Sequence, residues 1–491
     1  MRLNWHPAVR VSSFGYPDIE DGYAAWSDTS LVHSCAGDER QIVQELDTAF
    51  LGLPSRPIRR LTGPISRFMH VEAASGIVLL GATMVALILA NSPWSAAFLS
   101  VWETELAFSI GSLEVSHSLR HWINDGLMGV FFFVIGLEIK RELATGELRD
   151  PRSAALPIFA AVGGMLVPAA IYLLLQAGKP GMHGWGIPMA TDIAFVVGCM
   201  AILGQRVPAG LRVMLLSLAI ADDIGAILVI AIGYSSELNW TALGLGLVGI
   251  VVVHLMARAG IRSLLLYVGA GGLVWFAFHE SGIHPTIAGV ILGLMTPASE
   301  YVGASAFRKI IERVDQITSG DERPRGAERA SQVAHFRTLA RETVSPVEYL
   351  IRALHPWVGF LIMPIFALAN AGVPIGISGL TSPVAHAAAL GLLIGKPVGV
   401  VLSSFIAVRI GLARLPQGVS WAVLGAGGIL AGIGFTMALF IAGLALEGAL
   451  LDAAKVGILG ASAVAAAIGT GTLYLLLPDG AVAEAEGTVG Q

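Results

Sequence analysis

From about residue 72 the chain alternates long apolar runs with short polar ones. A run of roughly twenty apolar residues, at about 1.5 Å rise each, crosses a hydrocarbon layer about 30 Å thick as a helix. Such runs fall near 72–91, 121–141, 155–176, 185–204, 209–233, 240–257, 263–280, 284–298, 355–373, 384–410, 419–446 and 453–477. The pattern predicts an all-α polytopic membrane protein with twelve transmembrane helices. Between the first two runs, Leu106–Ser116 alternates around Gly111-Ser112, which predicts a small β-hairpin. Its exposed edges could pair with a second subunit.

The loops sort by charge. Lys140, Arg141, Arg149 and Arg152 follow the second run, Arg206 and Arg212 the fourth, Arg258 and Arg262 the sixth. Nine basic residues from Arg308 to Arg352 follow the eighth, and Arg409 and Arg414 the tenth. The alternate loops hold only Arg120 and Lys179. The positive-inside rule then predicts that both termini are cytoplasmic.

Composition agrees with the pattern. The 491 residues are 55% hydrophobic and 13% charged, where a soluble protein has about 25% charged residues. No basic cluster with interleaved aromatics points to nucleic acid, and nothing calls for a cofactor. Cys35 and Cys199 have no metal or redox spacing, so no disulfide is expected. No secretory signal pattern is visible at the start. Residues 1–60 read as a polar cytoplasmic extension, mostly without fixed structure, with a short helix near Ile42–Leu51. The twelve-helix membrane domain is expected over 61–477, including an Arg/Glu-rich cytoplasmic loop 299–354 with some helix. Residues 478–491 form a short acidic tail.

Few ionisable residues lie well inside the runs: Asp125 and Glu138 in the second, Asp192 in the fourth, Asp222 and Asp223 in the fifth, Lys396 in the tenth. A charge at the bilayer centre costs at least ~2.5–3.5 kcal/mol, so each needs a partner, water or an ion. Asp125 and Glu138 are thirteen residues apart, about 20 Å along a helix, and so lie near opposite faces. Asp125 reads as a helix-end residue facing an outer cavity. Glu138 reads equally as a member of an interfacial ion-pair network with Lys140, Arg141 and Glu142.

Pro188, shortly before Thr191-Asp192, predicts an interrupted fourth helix. Gly427, Gly428, Gly432 and Gly434 permit a second break in the eleventh, or close packing through small residues. One break in each half points to a midplane site built from half-helix ends. Lys396 is too deep to snorkel and needs a counter-ion, for which Asp192, Asp222 and Asp223 are the candidates. Adjacent residues on a helix point about 100° apart. One of Asp222 and Asp223 can therefore pair with Lys396 while the other faces a water-filled funnel. Protons and a cation would compete for the same oxygens. With the Thr191 hydroxyl, these hard ligands suit Na⁺ or Li⁺.

Together the motifs resemble the NhaA sodium/proton antiporters. They are Trp122-Ile-Asn-Asp125-Gly-Leu-Met-Gly-Val-Phe-Phe-Phe-Val-Ile-Gly-Leu-Glu138-Ile-Lys-Arg141-Glu142, Ala190-Thr-Asp-Ile-Ala-Phe195, Ala221-Asp-Asp-Ile-Gly-Ala226, His355-Pro-Trp357, Gly395-Lys-Pro397 and Gly432-Ile-Gly-Phe-Thr436. They come in that family's order and span about 61–477. The resemblance implies inverted repeats of spans three to five and ten to twelve, a family property rather than one read from this chain. It implies crossing fourth and eleventh helices, with cation binding on Asp222 and Asp223. It puts Thr191 and Asp192 at the crossing and makes Lys396 the charge-compensating residue. It further implies electrogenic exchange, two protons in for one Na⁺ out, for sodium extrusion and pH homeostasis. The expected setting is the bacterial inner membrane and the expected state a homodimer joined partly through the hairpin. Asp125, Glu138, Arg141 and Glu348 are candidate supporting or regulatory residues.

One departure concerns pH. Members of that family often carry a Glu-His pair before His-Pro-Trp, where this chain has Ile351 and Arg352, and Glu348 one turn earlier is the candidate substitute. Other functions fit less well. An intramembrane aspartyl protease needs two facing carboxylates and gives Lys396 no role. A carrier of organic substrates would want Arg anchors, which no span has at its middle. A passive channel needs no proton-tunable carboxylates beside a lysine.

Overall fold

The computed structural model describes residues 72–110, 113–235, 238–261, 263–299 and 344–477. The N-terminal extension 1–60 with the helix expected near Ile42–Leu51, most of loop 299–354, and the tail 478–491 lie outside the described residues. The rest is mostly helix. In chain order come α1 (Glu72–Ala90), α2 (Ser95–Trp102), strands β1 (Glu105–Ile110) and β2 (Leu113–Ser118), and then α3 (Leu119–Thr145). After α4 (Pro151–Gln176) a 3-10 segment, Pro180–Met189, leads to α5 (Ile193–Leu203). Then follow α6 (Ala209–Gly233), α7 (Trp240–Arg258), α8 (Leu264–Glu280) and α9 (Thr286–Met295). The last group is α10 (Pro346–Asn370), α11 (Pro383–Arg409), α12 (Trp421–Ala431), α13 (Phe435–Ala445) and α14 (Gly448–Leu476).

Seven of these helices are long and apolar enough to cross a membrane, or up to nine if each bent pair is one span. The ninth apolar run proves longer than its hydropathy suggests. Its helix starts at Pro346, capped by Ser345 accepting from the Glu348 N–H, because polar Glu348 and Arg352 extend it past the apolar part. Strands β1 and β2 pair antiparallel, with Leu106 opposite His117 and Glu105 opposite Ser118.

The bundle is apolar outside. Leu174, Ile202, Ile232, Leu265 and Leu475 are 79% to 84% exposed, which suits contact with lipid chains and not with water. Its interior holds small residues and polar groups. Gly163 of α4 and Gly399 of α11 touch so closely that a Cβ at Gly399 would overlap the Gly163 carbonyl and lie 3.1 Å from the Gly164 nitrogen. Without a hydrophobic force between helices in lipid, such backbone contact is a main source of attraction. It also seats the Lys396 stem: a Cβ on Gly164 would lie 3.5 Å from the Lys396 Cε.

Gly399→Val is therefore expected to force α4 and α11 apart, at a cost of about 1–3 kcal/mol or more. The measurement is the melting temperature of the purified chain in detergent. A melting temperature equal to wild type would contradict this close approach.

Candidate functional site

Two helix breaks meet in the interior. The 3-10 segment Pro180–Met189 and α5 are bent by 43° across Ala190–Asp192, and α12 and α13 by 47° across Gly432–Gly434. Pro188 cannot donate a backbone bond, and the glycines at 432 and 434 leave room for close approach. A Cβ on Gly434 would lie 2.8 Å from a Leu392 methyl. Each break frees backbone groups that nothing in a hydrocarbon layer can satisfy. The two breaks satisfy one another: the Asp192 N–H donates to the Ile433 carbonyl at 2.7 Å, and the Thr191 hydroxyl lies 2.8 Å from the Ala431 carbonyl.

Asp192 serves two helix starts. One carboxylate oxygen accepts from the Phe195 N–H at 3.1 Å, capping α5. The other accepts from the Thr436 N–H at 3.1 Å and from the Thr436 hydroxyl, at the start of α13. A carboxylate between two helix N-termini meets both positive ends of the backbone dipole. Thr436 was quoted in the sequence motif but given no role. Its partnership with Asp192 spans 244 residues and left no local signal.

Lys396 serves the opposite end. Its ammonium donates to the Met189 carbonyl, the last of the 3-10 segment, and pairs with Asp222 Oδ2 at 2.7 Å. Both side chains are fully buried. The π-helical turn Gly391–Gly395 precedes Lys396, next to Pro397, whose ring disfavours a regular helical turn there.

The adjacent aspartates differ as their 100° offset requires. Asp222 Oδ2 also lies 2.8 Å from the Thr191 hydroxyl, whose single proton can serve Asp222 or Ala431 but not both at once. Asp222 Oδ1 is buried with no hydrogen-bond partner among the described residues. Asp223, 3% exposed, makes no hydrogen bond or ion pair with any described residue. It feels the charges of Asp222, Glu138, Asp192 and Lys396. A funnel of about 630 Å³ lies between α3, α4 and α6, lined by Glu142, Glu147, Arg149, Asp150, Ser217 and Ile220 among others. Ile220 is one turn before Asp223, and three carboxylates on the wall favour cations.

The structure thus gathers Thr191, Asp192, Asp222, Asp223 and Lys396. The other expected residues lie elsewhere. Glu138 Oε1 is 3.9 Å from His355 Nε2 on α10. Arg141, one turn beyond Glu138, is partly exposed. Glu348 pairs with Arg352 at 3.8 Å on the surface, while Ile351 is buried with Leu137 and Val347. Asp125 sits in the π-helical turn Trp122–Leu127 among His121, His279 and His284. Sequence reading passed over those histidines, although His117, His121 and Asp125 recur every four residues. It also missed buried Lys455, which lies near the charges of Arg120, Asp452 and Glu103.

Comparison with known proteins agrees with the geometry. Residues 66–473 match the family described as Na⁺/H⁺ antiporter 1. The Na(+)/H(+) antiporter NhaA of Rhodopirellula baltica is 55% identical over 428 residues, covering 87% of this chain and 97% of that protein. The Na(+)/H(+) antiporter NhaA of Rhizobium meliloti is 53% identical, covering 86% and 97%. The Na(+)/H(+) antiporter NhaA 2 of Vibrio vulnificus is 49% identical, covering 85% and 93%.

Removing one partner of a buried ion pair strands the other charge. Lys396→Met is therefore expected to destabilise the chain by about 3–5 kcal/mol, and Lys396→Met with Asp222→Asn to recover most of that. Thermal unfolding of the purified variants checks it; a double variant no better than the single would contradict the pairing.

Proposed function

The chain belongs to the Na⁺/H⁺ antiporter 1 family and is a multi-pass membrane transporter, not an enzyme; on that premise we propose that it exchanges cytoplasmic Na⁺, or Li⁺, for external protons. The exchange is electrogenic, two protons for each ion, and serves sodium extrusion and pH homeostasis. One observation carries the site assignment: among the described residues none gives a hydrogen bond to buried Asp222 Oδ1, and none makes a hydrogen bond or ion pair with the adjacent, buried Asp223. Buried carboxylate oxygens without donors are costly unless a proton or a cation joins them. They are hard ligands for a small alkali ion. Thr191 and Asp192 hold the crossing around that ion, and Lys396 compensates Asp222.

The competition is direct. A Na⁺ that takes the carboxylate oxygens displaces their protons, and protons arriving from the other side displace Na⁺. Alternating exposure of the same oxygens to the two faces then couples the gradients. The acidic funnel toward Ile220 is the cytoplasmic entrance, on the side where the basic loops place the cytoplasm.

Counting the three shorter apolar helices α1, α8 and α9 with the nine spans gives twelve. Two units of long helix, broken helix and long helix, α4 to α6 and α11 to α14, are the inverted repeats of that reading. Both termini are cytoplasmic in a bacterial inner membrane. The hairpin edge joins two subunits in a homodimer.

Residues 351 and 352 bear on pH. Ile351 carries no titratable group, so the pH dependence proposed here comes from competition at the aspartates themselves. The test uses inverted membrane vesicles carrying a proton gradient. Na⁺ is expected to collapse ΔpH for the wild-type chain and to leave it intact for Asp223→Asn. Because binding displaces protons, lowering the pH by one unit where both carboxylates hold their protons is expected to raise the half-saturating Na⁺ concentration by about ten- to hundredfold. A wild-type chain that leaves ΔpH untouched between about pH 6.5 and 9 would overturn the reading.

A further inference from the structure

The end of the bundle that carries the hairpin holds a second cluster, remote in chemistry from the aspartate pair. His117 of β2, His121 at the start of α3 and His279 near the end of α8 each offer a ring nitrogen, all within 4.8 Å of one another. His121 Nε2 and His279 Nε2 are 3.2 Å apart. Asp125 Oδ2 lies 3.4 Å from His121 Nε2 and 3.9 Å from His279 Nε2. In a tetrahedral zinc site with Zn–N about 2.0–2.1 Å, ligand atoms stand about 3.3 Å apart. The closest separations here already approach that edge.

The surroundings hold the ligands in place. The Trp275 indole N–H donates to the Asp125 carbonyl at 3.1 Å, and the Trp122 indole to the Leu106 carbonyl at 3.3 Å. The second Asp125 oxygen lies 3.7 Å from His284 Nε2, and His284 Nδ1 is 2.8 Å from the Thr286 hydroxyl. The Asp125 side chain is 11% exposed, so the carboxylate has little water and its neighbours are imidazoles. Three imidazoles gather here: the His117 and His121 rings stack at 4.1 Å and His117 meets His279 at 5.2 Å.

We propose that His117, His121, His279 and Asp125 bind one divalent transition-metal ion of the zinc class. Imidazole nitrogen with one carboxylate suits Zn²⁺, Co²⁺ or Ni²⁺ and not an alkali ion. Four protein ligands leave no open position, which makes the site structural. It ties the hairpin strand β2 to α3 and to α8, joining elements 158 residues apart in the chain. His284 acts on the ion through Asp125 and is a positioning residue.

The full chain, purified in detergent with any affinity tag removed, is titrated with Co²⁺ as the probe. One Co²⁺ per chain with the visible absorption of a tetrahedral ion is expected. His121→Gln and His279→Gln should each weaken binding at least about tenfold, and His284→Gln by about ten- to hundredfold with the tetrahedral spectrum kept. Absence of stoichiometric Co²⁺ binding by the wild-type chain, or equal binding by a His121→Gln/His279→Gln double variant, would overturn the proposal. X-ray absorption of the Zn²⁺-loaded wild-type chain tests it without any variant. Imidazole nitrogens at about 2.0–2.1 Å are expected, and a first shell without imidazole would refute the site.

Discussion

Interrupting two helices inside a hydrocarbon layer leaves backbone donors and carbonyls that neither water nor lipid can satisfy. The rest of the interior follows from how this chain meets that constraint. The breaks at Ala190–Asp192 and Gly432–Gly434 face each other and bond directly through Asp192 to Ile433, with the Thr191 hydroxyl placed to donate to either Ala431 or Asp222. What remains is a set of helix ends with net dipole. Asp192 answers two positive ends and Lys396 one negative end, so each buried charge has a backbone reason to be there. Placing Lys396 at the end of the 3-10 segment also brings it to Asp222.

This arrangement makes the site responsive without making the fold fragile. Asp192 is fully committed to Phe195 and Thr436 and so belongs to the frame. Asp222 is half committed: one oxygen holds Lys396 and Thr191 and the other is free. Asp223 is held by no described group. In the proposed exchange, the gradation from fixed to free oxygens separates residues that shape the crossing from those on which ion and proton trade. Close contacts such as Gly163 with Gly399 bring the two backbones directly together.

Much of this was legible in the sequence, for a physical reason. Transfer to hydrocarbon is a sum over consecutive residues, so hydropathy locates helices well, and the helices at Glu72–Ala90 and Ala209–Gly233 match their runs closely. Pro188 and the 432–434 glycines marked the breaks because backbone chemistry is local. Which aspartate meets Lys396 was not legible. The rotation of α6 is set by tertiary packing, such as Gly225 against Met165, which spacing does not encode. Thr436 lies 244 residues from its partner Asp192, and His279 lies 158 from His121, so neither pairing leaves a local trace; only the four-residue spacing of His117, His121 and Asp125 was there to be read. The ninth helix began earlier than its apolar run because polar Glu348 and Arg352 are helical without being hydrophobic.

In the proposed exchange Na⁺ and protons share the oxygens of Asp222 and Asp223. The most direct test of this sharing is proton release on Na⁺ binding by the purified chain, measured in weakly buffered detergent solution with a pH-indicator dye. The account predicts release of protons on adding Na⁺, approaching two per bound ion when both carboxylates start protonated, and none from Asp222→Asn/Asp223→Asn. Saturable Na⁺ binding with no proton release at any starting pH would contradict it.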